Sequence, residues 1–140
     1  GEKNLKLIKK SIISTGKLSF ILMTLYLVFF LIFDQGIIGF ITTIESVQTI
    51  AIDNSIWLYL IFLSATIAFW LDGVFIGILK IKLLRNTMII AAIIFFVLET
   101  IIIGGNNTGL WLSFLGFFIV RSLLLGFYLI KYMRKDRLLV

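Results

Sequence analysis

Four blocks of apolar residues, separated by shorter polar stretches, set the pattern of this chain. A helix needs about 20 apolar residues to cross the hydrocarbon core of a bilayer. The blocks predict membrane spans at Leu18 to Phe33, Ile56 to Leu79, Leu84 to Ile103 and Leu110 to Tyr132. The first and third are short, so flanking residues are expected to adjust to them. Residues 34–55 are too many for a tight turn. Within them Ile41, Ile44, Val47 and Ala51 recur at roughly helical spacing, with Thr42, Glu45, Gln48 and Asp53 elsewhere. That pattern predicts a short amphipathic helix at the outer interface. Lys3 to Ser14 has similar character, with Leu5, Ile8 and Ile12 on one face, and reads as an amphipathic segment feeding the first span. Proline is absent, so no helix kink has that origin. The expected fold class is all-α: a polytopic membrane protein with four transmembrane helices in a single transmembrane region.

Composition strengthens this reading. Hydrophobic residues make up 61% of the 140 and charged residues only 14%, against about 25% charged in a soluble domain. A soluble core of this length cannot hide so much apolar surface, which makes the lipid bilayer the first expected partner. The chain has no cysteine and no histidine. Disulfides, thiolate metal sites and the usual general base are excluded with them, and an enzyme is not expected. No cofactor is expected either. The first apolar block follows seventeen residues of charge and small amphipathic runs, with no small-residue cleavage site after it, unlike a signal peptide.

The basic residues orient the spans. Lys3, Lys6, Lys9, Lys10 and Lys17 precede the first, Lys80, Lys82 and Arg85 lie between the second and third, and Lys131, Arg134, Lys135 and Arg137 follow the fourth. Of the 13 basic residues only Arg121 falls outside these clusters, which all lie on one side of an alternating path. Asp34, Glu45 and Asp53 belong to the other side, as does the uncharged Gly104 to Gly109 stretch. The positive-inside rule places both termini in the cytoplasm, in a multi-pass protein of the inner (plasma) membrane. The net charge of +6 is thus a topology signal, and no nucleic-acid partner is expected from basic residues so dispersed.

Against this background a few residues stand out. Asp72 interrupts the second span, where a carboxylate costs on the order of 2.5–3.5 kcal/mol on insertion scales. It is the candidate cation- or proton-binding group; the structural alternative is a permanent ion pair that fixes the bundle. Arg121 is the basic residue deep within a span and the possible charge partner. At helical rise the two differ in depth by roughly 6 Å, within reach of a guanidinium stem. Gly73 and Gly77 form a G-x-x-x-G, expected to serve helix packing. Glu99, near the outer end of the third span, is a candidate pathway-mouth residue, with interfacial solvation as the plainer reading. Trp57, Tyr59, Trp111, Tyr128 and Tyr132 lie near span ends, as an aromatic belt does. Trp70 is too deep for that belt and is expected to line a pocket.

The runs Phe69-Trp70-Leu71-Asp72-Gly73-Val74-Phe75-Ile76-Gly77, Leu84-Arg85-Asn86-Thr87-Met88, Asn106 to Trp111 and Arg121-Ser122-Leu123 together resemble the C-terminal part of the multidrug and toxic compound extrusion (MATE) transporters, DinF-like branch. The resemblance maps the four spans onto helices nine to twelve of a twelve-helix transporter, four of the six in its second bundle. It implies an antiporter exporting small organic cations or toxic compounds, coupled to H+ or Na+, with Asp72 as the tenth-helix acid used in cation binding. The missing N-terminal part of the same transporter would then be a partner, a reading that the opening Gly1 in place of methionine fits. The chain departs from the family pattern in lacking a proline before Asp72 and in placing Lys80-Ile81-Lys82 where small polar residues are expected. The alternative is a complete small four-helix membrane protein that oligomerises as a structural subunit or small exporter.

Overall fold

The computed structural model describes residues 2–102 and 106–134, with the backbone alone for 2–4 and 102. Ile103, Gly104, Gly105, Lys135 and Arg137 lie outside the described residues, as does the side chain of Lys3. Every described element is helical: α1 (Glu2–Ile41), α2 (Glu45–Asp53), α3 (Ser55–Gly77), α4 (Ile81–Val97) continued by a π-helical turn (Leu98–Ile102), and α5 (Asn107–Arg134). Four of them are long and apolar enough to cross a membrane. The chain is an all-α membrane protein.

The first element departs most from expectation. The amphipathic segment and the first span are one helix of 40 residues, about 60 Å long at helical rise against roughly 30 Å of hydrocarbon. It continues through Gly16, Gly36 and Gly39. No proline occurs, and a backbone entering or leaving lipid does best by keeping its hydrogen bonds internal. Asp34, expected in the following loop, therefore sits in α1, where its carboxylate accepts a hydrogen bond from Tyr59 of α3 at 3.2 Å. The helix ends at Ile41, and Gln48 Nε2 donates to the Thr42 carbonyl at 2.7 Å to close the turn into α2. That short amphipathic helix falls where its periodicity predicts, with no residue buried.

α3 and α4 form a tight hairpin. Lys80 N–H donates to the Phe75 carbonyl at 2.9 Å and Leu79 N–H to that of Ile76 at 3.0 Å, the bond pair of a Schellman cap. This cap wants glycine at the left-handed position, but Leu79 holds it, with φ 58°; Gly77 stands two residues too early. At the other end of α4 the π-helical turn admits one extra residue per turn and brings the Leu98 side chain to 2.9 Å from where a Cβ on Gly116 of α5 would stand.

The core runs along α5. Leu71 and Phe75 of α3 meet Leu125 and Leu129 of α5, and Ile12 of α1 joins them. Ala65 and Ala68 meet Phe118 further along. Alanine at those positions, with Ala91 of α4 fully buried, lets backbones approach closely, which is how helices associate where lipid is as apolar as they are. Ile12 clusters with Phe75 and Leu129, Asp34 bonds to Tyr59, and a tight turn joins α3 to α4, so successive long helices alternate in direction. The described clusters of Lys and Arg thus share one end, and Asp34, Glu45, Asp53 and Glu99 belong to the other. The remaining surface is apolar: Leu25 is 62% exposed and Ile32 66%, a continuous face that only lipid or another protein can cover.

Toward its N-terminal half, α1 is held to α3 by a wedge. The Trp70 ring packs against Gly16, where a Cβ would fall 2.9 Å from it, and its Nε1 donates to Thr15 Oγ1 at 3.3 Å. Gly16→Leu is expected to expel the indole, detach α1 from α3 and lower the melting temperature in detergent; an unchanged Trp70 fluorescence spectrum would contradict it. Leu79→Gly relieves a left-handed leucine and is expected to stabilise the protein by about 1 kcal/mol, read as a rise in the same melting temperature.

Candidate functional site

The polar chemistry of the membrane interior rests on α5. Arg121 projects from it toward α3, and its Nη2 lies 2.7 Å from Asp72 Oδ2; the side chains are 7% and 14% exposed. The structure thus brings together the two charged residues that the sequence singled out within spans. Sequence spacing alone left their depths about a turn apart, a gap the long arginine stem covers. The guanidinium carbon stands 6.0 Å from the Phe117 ring centroid, four residues earlier on the same helix, so the ring supports the cation. The next residue fixes the register: Ser122 Oγ donates to the Ser64 carbonyl of α3 at 3.3 Å.

The pair is only half satisfied. Asp72 Oδ1 and Arg121 Nε are buried without a hydrogen-bond partner among the described residues. An arginine fork meeting a carboxylate usually does so with two parallel bonds; here a single one forms. The unused carboxylate oxygen and guanidinium N–H are the places where this site can accept another group. Among the described residues no three His, Cys, Asp or Glu side chains converge, so a cation at Asp72 would rely on that carboxylate together with neutral oxygens.

Glu99 does not join this site. The π-helical turn directs it to α5, where its Oε2 accepts from Ser113 Oγ at 3.3 Å. Ser113 is fully buried and lies eight residues before Arg121, about 12 Å along the helix axis. Of the Leu84–Met88 run, Thr87 is buried and donates to the Leu84 carbonyl at 2.9 Å, whereas Arg85 and Asn86 bond to each other at the surface.

Gly73 and Gly77 are not packed against a neighbouring helix of this chain. Among the described residues, no atom beyond the local backbone of α3 stands within 4 Å of a Cβ placed on either. Trp70, one turn earlier and wedged against Gly16, keeps α1 away from them. Both glycines line an open groove between α1 and α3. The aromatic belt also needs correction at Trp111, whose Nε1 is buried without a partner among the described residues. Its ring lines an apolar groove of about 890 Å³ with Tyr26, Phe62 and Phe114. Trp70 lines grooves, as expected from its depth. Sequence reasoning missed Ser113, Ser122 and Thr15. Each is a small hydroxyl whose partner is far away in sequence or sits on an irregular turn, and their one local signal is polarity inside an apolar block.

No protein-family model matches the chain, and no curated protein or solved structure matches it.

Removing one member of a buried pair strands the other, at a cost of about 3–5 kcal/mol. Arg121→Gln and Asp72→Asn are each expected to destabilise the protein strongly, and the double variant to recover most of the loss. Additive losses in a double-mutant cycle on detergent unfolding would show that the pair contributes no coupling.

Proposed function

We propose that this chain forms part of an exporter of small organic cations or toxic compounds, driven by counterflow of H+ or Na+ across the inner membrane, with both termini cytoplasmic. The observation that carries this reading is the half-satisfied pair of Asp72 and Arg121, buried between apolar helices with an oxygen and an N–H to spare. A proton or Na+ taken up by Asp72 competes with Arg121 for the same carboxylate. Loading the cation loosens the tie between α3 and α5, and releasing it restores that tie. Two arrangements of one pair, biased by an ion, are what coupling requires. The order of the Asp72–Gly77, Leu84–Met88, Asn106–Trp111 and Arg121–Leu123 runs supports the MATE-like version of this reading, in which further helices on the N-terminal side complete the path.

A second reading has its own support. The apolar exposed face of α1 and the open Gly73 and Gly77 suit a four-helix subunit that associates with copies of itself. In it the ion pair stays closed and serves only to fix the bundle.

Transport separates the two. In the intact protein, Asp72→Asn is expected to reduce drug efflux to background while membrane insertion stays normal. The Asp72→Asn/Arg121→Gln double variant tests the role directly: it regains stability but not transport if Asp72 carries the coupling ion. Full efflux in the double variant, at matched membrane levels, would leave the pair a structural part.

A further inference from the structure

A groove of about 780 Å³ lies between α1 and α3 at the basic end of the bundle, clear of the ion pair. Ser11, Thr15 and Ser19 line it from α1, spaced four residues apart, and Gly73 and Gly77 line it from α3. The glycines leave open space where any side chain would fill it. The α3–α4 turn lies at its end and contributes Lys80, whose Nζ stands 5.5 Å from the centroid of the Tyr132 ring.

Three features of this groove specify an occupant. Its length along α1, from Ile8 to Ser19, is about 16 Å at helical rise, half of the roughly 30 Å hydrocarbon core and so the depth of one leaflet. Its walls are apolar along that depth, with Ile12, Phe69 and Val74 among them. Its mouth is cationic. Lys80 lines it, Lys9 and Lys10 are neighbours in sequence of its lining residues, and Lys82 follows Lys80 by two; among the described residues Glu2, at the start of α1, is the acid placed at this end besides Asp72, and Asp34, Glu45, Asp53 and Glu99 belong to the other. A protein helix docking on Gly73 and Gly77 would need no such charge.

We infer that this groove is a binding site for an anionic phospholipid, with one acyl chain along Gly73 and Gly77 and the phosphate at Lys80. The glycines provide room for the chain, Ser11 offers a hydroxyl near the ester region, and the ammonium selects the headgroup. Basic pockets between membrane helices hold acidic headgroups by this combination. The inference is independent of the transport reading, since it uses neither Asp72 nor Arg121.

Trp70 lines the groove and reports on it. In the full chain carrying Trp57→Phe and Trp111→Phe, reconstituted in vesicles, brominated phosphatidylglycerol is expected to quench Trp70 with about fivefold higher apparent affinity than brominated phosphatidylcholine. Lys80→Gln should bring that ratio close to one. Gly77→Leu, which fills open space, should weaken quenching by both lipids. Native mass spectrometry of the unsubstituted chain supplies a second reading: bound phosphatidylglycerol should persist through detergent exchange that strips phosphatidylcholine. Equal behaviour of the two lipids in the unsubstituted chain overturns the inference. So does quenching unaffected by Gly77→Leu, or a dimer that forms through this face and excludes lipid from it.

Discussion

Arg121 is tolerable inside α5 because Asp72 of α3 meets it, and Asp72 is tolerable in α3 for the same reason. In a medium where helices gain little by hiding apolar surface from lipid, this contact is the most directional one holding α3 to α5. The rest of the packing conforms to it. Ser122 locks to Ser64 beside the pair, Phe117 backs the guanidinium, and small residues such as Ala65 and Ala68 let the two helices close far enough for the charges to touch. α4 reaches the same helix through Glu99 and Ser113 and through Leu98 on Gly116. α5 is therefore the axis of the structure, and α1 is its most loosely attached part.

That loose attachment has a physical origin. α1 touches α3 mainly through Trp70 seated on Gly16, through Ile12 in the core cluster and through Tyr59 on Asp34. Between those points Phe62 of α3 reaches the rings of Tyr26 and Phe30 of α1, and grooves open on either side. One indole props two helices apart where glycines alone would have let them meet, which is why a motif expected to join helices lines a groove instead.

Much of the architecture is legible in the sequence because lipid imposes simple demands. The α3 span and the amphipathic α2 fall within a few residues of their apolar blocks, and the described members of the basic clusters come to one end as their alternation required. The pairing of Asp72 with Arg121 was legible for a related reason: two opposite charges in apolar helices have few other solutions. What escaped was either non-local or irregular. Asp34 looked like a loop residue because charge usually marks the end of a span, yet α1 carries on through Gly36 and Gly39, with no proline to interrupt it. The π-helical turn at Glu99 leaves no compositional trace. Trp111 sits near a block edge, where an indole normally wets its N–H; only the arrangement of α1, α3 and α5 reveals that it is covered. Asp72 and Glu99, similar as lone acids in apolar blocks, end up on opposite sides of a 12 Å gap along α5, tied to a cation in one case and to a hydroxyl in the other.

The ion pair also has an electrical consequence. While Asp72 and Arg121 are joined, their charges cancel, and a membrane voltage does almost no work on them. When the carboxylate is neutralised, an uncompensated positive charge remains inside the electric field, where a full crossing is worth about 2.3 kcal/mol per 100 mV. Arg121 sits partway across, so it would feel a fraction of that. Any cycle that opens the pair becomes sensitive to membrane potential through the arginine left behind, whichever ion opens it.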